Sequence, residues 1–220
     1  MNRRSILLNN LGVVELQDGN IIKAFDLFSK SSNLLVSGFT SQTHINNSKI
    51  EAYRYNWVDC NNELLTSKPS HLTWEGSLSF LFIRSLRVTI LQSDEYIDES
   101  CPCGFAWAVW FNLAICCSLI GTRLGEKGER LLKIAFELYK KVQHSIQSES
   151  PSRHRSILQM AIMNNQACIF RDFAMHEKAT TCLQKLTYAL FVATDMHVDD
   201  WKTFSLNLQI LGAHVNAGAA

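Results

Sequence analysis

A chain of 220 residues, 47% of them hydrophobic and only three of them proline, can bury a sizeable core, which excludes a disordered polypeptide. Its 21 Lys and Arg balance 20 Asp and Glu, and no basic stripe runs along any segment, so the charge offers nothing to nucleic acid. No apolar run reaches the roughly 18–20 residues that span a bilayer, and no small-residue cleavage site follows Met1–Leu8, so neither a membrane span nor a secretory signal is expected.

In chain order, residues about 4–35 carry the first helix–turn–helix pattern. It reads Leu8-Asn9-Asn10-Leu11-Gly12, then Ala24 twelve residues past Gly12, then Phe28, with Asp18-Gly19-Asn20 as the turn. An insertion of different character follows over about 37–100. Ser37 to Lys49 is polar and turn-like. Ser77 to Ile90 alternates in places, is rich in aromatic and β-branched residues and lacks a helical stripe, which predicts a strand, with Tyr53 to Trp57 as its candidate partner.

The second helix pair spans about 104–145. It reads Trp110-Phe111-Asn112-Leu113-Ala114, with Ala135 and Tyr139 in its later half. Here the gap is nine residues longer, and the excess falls in Gly121–Gly128, which reads as a glycine-rich loop. Phe105 to Ile120 predicts a buried helix. The third pair spans about 153–193 and reads Met163-Asn164-Asn165-Gln166-Ala167, then Ala179 twelve residues past Ala167, then Leu183. Its spacing is identical to that of the first. Asp199 or Asp200 can cap a last helix over about 199–211 that covers the open face of the array, with Gly212 to Ala220 frayed.

The recurring residue types have a packing logic. Gly12, Ala114 and Ala167 are small and let one helix of a pair approach the other, and Ala24, Ala135 and Ala179 do the same from the opposite side. Phe28, Tyr139 and Leu183 lie one turn further on the same face and fill the space beside the contact.

This pattern resembles the tetratricopeptide repeat, a helix–turn–helix unit of about 34 residues. The bulky–hydrophobic–small triplets that carry the resemblance are Leu8, Leu11, Gly12; Trp110, Leu113, Ala114; and Met163, Gln166, Ala167. The family's next large aromatic is matched by Phe170, while Glu15 and Cys117 stand there in the other copies, and the closing proline is missing from all three. The layout also resembles a divergent group of uncharacterised tetratricopeptide-like proteins of unicellular algae. The resemblance implies a mainly α fold, a tetratricopeptide-like α-solenoid, interrupted here by a long insertion with a short extended segment. It also implies a non-catalytic, protein- or peptide-binding scaffold.

Catalytic and metal signatures are missing from the sequence. The glycines of Gly121–Lys127 have the wrong spacing for a phosphate loop, with no Ser or Thr after a Gly-Lys pair. Cys101-Pro102-Cys103 is the best metal candidate, but two thiols one residue apart rarely reach one zinc. The seven cysteines are odd in number, and Cys116, Cys117, Cys168 and Cys182 sit inside helix patterns. Reduced, buried thiols in a cytoplasmic or nuclear setting are expected, with no metal and no cofactor.

Asparagine precedes the hydrophobic–small pair each time, at Asn10, Asn112 and Asn165, with Asn9 and Asn164 beside two of them. Its amide can both donate to and accept from peptide backbone. In the tetratricopeptide family an asparagine here often contacts a bound peptide, so the resemblance implies these five residues as ligand contacts. The alternative is that they bridge neighbouring helices or face solvent. Arg171 is the one cation assigned to the inner face, so a clamp for a C-terminal carboxylate is disfavoured and an apolar or helical partner segment fits better. A second expectation is a structural or regulatory subunit that assembles constitutively through exposed hydrophobics, including Phe80–Ile90.

Overall fold

The computed structural model describes residues 3–40, 53–60, 82, 84–90, 105–147, 153–193 and 196–218. The fold is mainly helical with one small sheet. Its elements are α1 (Arg3–Gln17), α2 (Ile21–Thr40), β1 (Tyr53–Asp59), β2 (Arg84–Ile90), α3 (Ala106–Leu124), a 3-10 turn (Gly125–Gly128), α4 (Glu129–Ile146), α5 (Arg153–Asp172), α6 (His176–Val192) and α7 (Val198–Gly218). Two compact units divide the chain. The first holds Met1–Ser67, Ile83–Ile120 and Lys133–Ser150; the second holds Lys68–Phe82, Gly121–Leu132 and Pro151–Ala220.

In the first unit α1 and α2 form an antiparallel pair closed at Gly12. A Cβ there would meet the Phe28 ring at 2.6 and 2.8 Å, so only glycine lets the fully buried ring lie against the α1 backbone. Further along the pair, Ser5 Oγ donates to the Ser31 carbonyl at 2.9 Å and Ser31 Oγ donates to the Ser5 carbonyl at 2.8 Å. Gly12→Ala is expected to destabilise the protein by about 1–3 kcal/mol through overpacking. Adding Phe28→Leu should recover part of the loss, and a thermal-melt double-mutant cycle checks the coupling.

The turn after α1 explains why the first and third pairs share their spacing. Asn20 N–H donates to the Glu15 carbonyl at 2.8 Å across Gly19, which holds a φ of 83°. In the second unit Met175 N–H donates to the Phe170 carbonyl, also at 2.8 Å, across Ala174 with a φ of 55°. Both are six-to-one helix-ending bonds around a left-handed residue. They fall at corresponding places in the two patterns.

The α3 segment from Phe105 to Leu119 is buried along its whole length, as the apolar run predicts. Its stretch with α4 is long and apolar enough to cross a membrane, yet 78% of the most apolar window is buried inside the fold. Within the first unit Phe111 is the hub: its ring meets Trp57 of β1 at 5.8 Å edge-on and Tyr139 of α4 at 5.9 Å. In the second unit α5 packs on α6, and α7 packs on both. Ala179, Leu183, Leu186 and Phe204 are buried there.

Four local expectations need correction. Gly121–Gly128 is not a loop: α3 runs to Leu124 and one 3-10 turn joins it to α4. Gly121 and Gly128 serve close approach, lying against each other with Leu132 over Gly121, while Gly125 supplies the left-handed residue of the turn with a φ of 56°. Ser37–Thr40 belongs to α2 rather than a turn, since an apolar helix carries its polar end onward; residues 41–52 lie outside the described ones. Likewise α7 begins at Val198 and continues to Gly218. Asp199 and Asp200 therefore occupy its first turn, where negative charge suits the helix dipole, rather than capping it.

The helix cysteines are buried free thiols, and Cys60 joins them. Burial pushes the Cys60 thiol up to about 11, and Cys117 and Cys168 up to about 12, from an ordinary 9. In the unfolded chain these thiols ionise near 9, so unfolding is favoured as the pH rises from there toward the folded values. The contribution of the thiols to stability should be nearly constant up to about pH 8. It should fall by on the order of 1 kcal/mol per thiol between pH 8 and pH 10. Urea midpoints at the two pH values read this, and Cys168→Ala should remove part of the slope.

Candidate asparagine clamp

Strands β1 and β2 pair antiparallel, with Tyr53 opposite Ile90 and Asp59 opposite Arg84. An antiparallel strand turns the backbone groups of alternate residues to opposite edges. Leu86 and Val88 turn theirs away from β1, and the asparagines meet them there.

In the first unit Asn112 Nδ2 donates to the Leu86 carbonyl at 2.9 Å, and the Leu86 N–H donates to Asn112 Oδ1 at 2.8 Å. Asn10 treats Val88 in the same way: Nδ2 donates to the carbonyl at 2.7 Å, and the Val88 N–H donates to Oδ1 at 2.9 Å. Each amide thus replaces a neighbouring strand for one residue. Asn9 Nδ2 donates to the second lone pair of the Leu86 carbonyl at 3.0 Å, and Asn9 Oδ1 accepts from Asn112 Nδ2 at 2.9 Å. Asn9 and Asn112 are fully buried, and Leu86 and Val88 are almost so. Arg84 Nε pairs with Asp59 Oδ1 at 2.7 Å, and Arg87 Nη2 donates to Gln17 Oε1 at 3.4 Å.

The second unit contains the same device. Asn165 Nδ2 donates to the Phe82 carbonyl at 3.1 Å, and the Phe82 N–H donates to Asn165 Oδ1 at 2.7 Å. Asn164 Nδ2 donates to Asn165 Oδ1 at 3.1 Å, and Asn164 Oδ1 accepts from Asn207 Nδ2 at 3.0 Å. The Phe82 ring stacks on Phe204 with centroids 4.9 Å apart.

Asn10 and Asn112 therefore grip strand backbone and Asn165 grips that of Phe82, and in each case the backbone is the chain's own. Asn9 and Asn164 bridge to an asparagine of another helix. Arg171 lies near the end of α5 with its guanidinium 3.1 Å from the Asp172 carboxylate. The exposed apolar surface expected of Phe80–Ile90 is not found where it is described: Phe82, Leu86 and Val88 are buried, because the asparagines draw them in. Sequence reasoning missed Asn207. The signal was an asparagine followed by a hydrophobic residue on the last helix, hidden because Gln209 stands where the small residue belongs.

The chemistry of these amides is that of a backbone holder. Side-chain amides neither titrate nor attack, and they recognise the N–H and C=O common to all residues but proline. Among the described residues no group of three or more His, Cys, Asp and Glu converges on a point, and Cys101 and Cys103 lie outside the described residues. Comparison with protein-family models, curated proteins and solved structures found no significant match.

Proposed function

We propose that this chain is a non-catalytic, tetratricopeptide-like scaffold that binds an extended segment of another protein. One observation carries the reading: Asn10, Asn112 and Asn165, at corresponding places in three helix–turn–helix patterns, each grip both backbone groups of one residue. Within each unit, side-chain amides held in that geometry stand in for a strand edge on the face of a helix. Such an edge takes peptide by main-chain hydrogen bonds and leaves selectivity to neighbouring apolar pockets.

Affinity capture with mass spectrometry, followed by calorimetry on each purified candidate, tests the reading. A protein that binds in the binary assay through a segment of ten or so residues is the expected result. Recovery of small-molecule turnover, or of no binary binder at all, would overturn it.

A second reading has its own support. Phe191 is 88% exposed, and Tyr188, Val198 and Trp201 of the same unit are also exposed, which suits a subunit that assembles constitutively. Light scattering at micromolar concentration separates the two, since a stable monomer counts against constitutive self-assembly.

A further inference from the structure

The clamp of the first unit has two edges to satisfy, and β2 satisfies both. Leu86 and Val88 give their backbone groups to the asparagines, which leaves Ser85, Arg87 and Thr89 to pair with Val58, Asn56 and Arg54 of β1. Nothing in this arrangement depends on β2 being covalently part of the chain. Of the two helices that carry the clamp, α1 is held on α2 by Gly12 on Phe28 and Ser5 with Ser31, and α3 is tied to α1 by the Asn112–Asn9 hydrogen bond, none of which involves β2. The sheet has two strands of seven residues, a size that is marginal alone and relies on its supports. An incoming strand of the same pattern would regain every bond that β2 gives up, including those to β1.

We infer that β2 is a resident occupant of a peptide-binding clamp. The external ligand is an extended protein segment with two aliphatic residues separated by one polar residue, as in Leu86-Arg87-Val88, which enters by displacing β2. The aliphatic requirement follows from burial: the Leu86 side chain is 0% exposed and that of Val88 1%, so the residues the asparagines hold must also fill apolar space. The middle residue lies partly in solvent, as Arg87 does, beside the Gln17 amide. The inference rests on the scaffold reading above and adds to it a ligand pattern and a form of control. With β2 seated, the apparent affinity for a competitor is lowered by the fraction of time the clamp is empty.

The test uses the full chain and a fluorescein-labelled synthetic peptide of the sequence from Phe82 to Ile90. Fluorescence anisotropy should show weak binding to the unaltered protein. Binding should be at least about tenfold tighter for Leu86→Ser, which loosens the resident strand and so raises the open fraction. Adding Asn112→Ala to Leu86→Ser should abolish it. Absence of binding to a Leu86→Ser protein that keeps its helical circular dichroism, or binding indifferent to Asn112, overturns the inference.

A second measurement needs no variant. A peptide carrying a photo-reactive leucine at the Leu86 position is cross-linked to the unaltered chain, and hydrogen exchange follows the Leu86 and Val88 amides. Cross-links on α1 and α3 together with lost protection of these amides support displacement. Cross-links elsewhere, or a bound peptide with both amides still protected, overturn it. A dimer in which β2 of one copy occupies the clamp of the other also overturns the external ligand and assigns the site to a second copy. A partner found by capture that binds while β2 stays protected sinks this inference and leaves the scaffold reading standing; no binary partner at all sinks the latter.

Discussion

Asn112→Ala is expected to destabilise the protein by about 3–5 kcal/mol, a large share of the stability of a chain this size. The side chain is fully buried and makes three hydrogen bonds: two with Leu86 and one to Asn9 Oδ1. Its removal strands the Leu86 N–H and the Asn9 oxygen in a dry interior, each at roughly 1–3 kcal/mol, while the Leu86 carbonyl keeps Asn9 Nδ2. Asn112→Asp separates hydrogen bonding from volume. A carboxylate still accepts from Leu86 N–H but opposes two oxygens it can no longer donate to, so Asp should be no better tolerated than Ala. Urea denaturation of both variants reads the loss. Asn10→Ala should cost less, because Asn10 is only half-buried and water can reach the Val88 groups it would abandon.

Gly128→Ala is the second large effect. A Cβ at Gly128 would overlap the carbonyl of Gly121, and that neighbour is backbone, so it cannot rotate aside. The end of α3 and the 3-10 turn would have to separate, at a loss of about 3–4 kcal/mol, above the usual range for overpacking. Gly121→Ala is the informative comparison. Its Cβ would meet Leu132 Cγ at 2.8 Å and Cδ2 at 2.9 Å, in a side chain that has other rotamers, and the Gly128 carbonyl oxygen only at 3.1 Å. A smaller loss of about 1–3 kcal/mol is therefore expected, and Leu132→Ala should relieve it. Thermal melts of the three variants against the parent check the order.

These two sites also mark what the sequence made legible. The small-residue spacing that set Gly12 at the contact between two helices, with Phe28 filling the space beside it, is a local rule, so it could be read without coordinates. The strand Arg84–Ile90 and its partner at Tyr53 were legible through alternation and β-branched content. Gly121 and Gly128 were misread because glycine signals both a loose turn and a tight approach, and only the neighbour across space distinguishes them. The clamp lay further out of reach. Asn10 and Val88 are 78 positions apart, and no periodicity links a helix amide to a strand that distant. Asparagines in a helix and apolar residues in a strand each look like ordinary members of their own element. Only together do they explain why Phe82, Leu86 and Val88 are buried.

The alternation that lets asparagines hold β2 also sets a parity on the chain. Asn112 and Asn10 engage residues two apart, Leu86 and Val88, and the residue between them faces the other edge. Deleting Arg87 or inserting one residue beside it would present the wrong backbone groups to one clamp or the other, and neither helix could follow. A shift of two would restore both grips with new side chains in the apolar space. Inside β2, therefore, genetic drift by single codons is forbidden where drift in pairs is not.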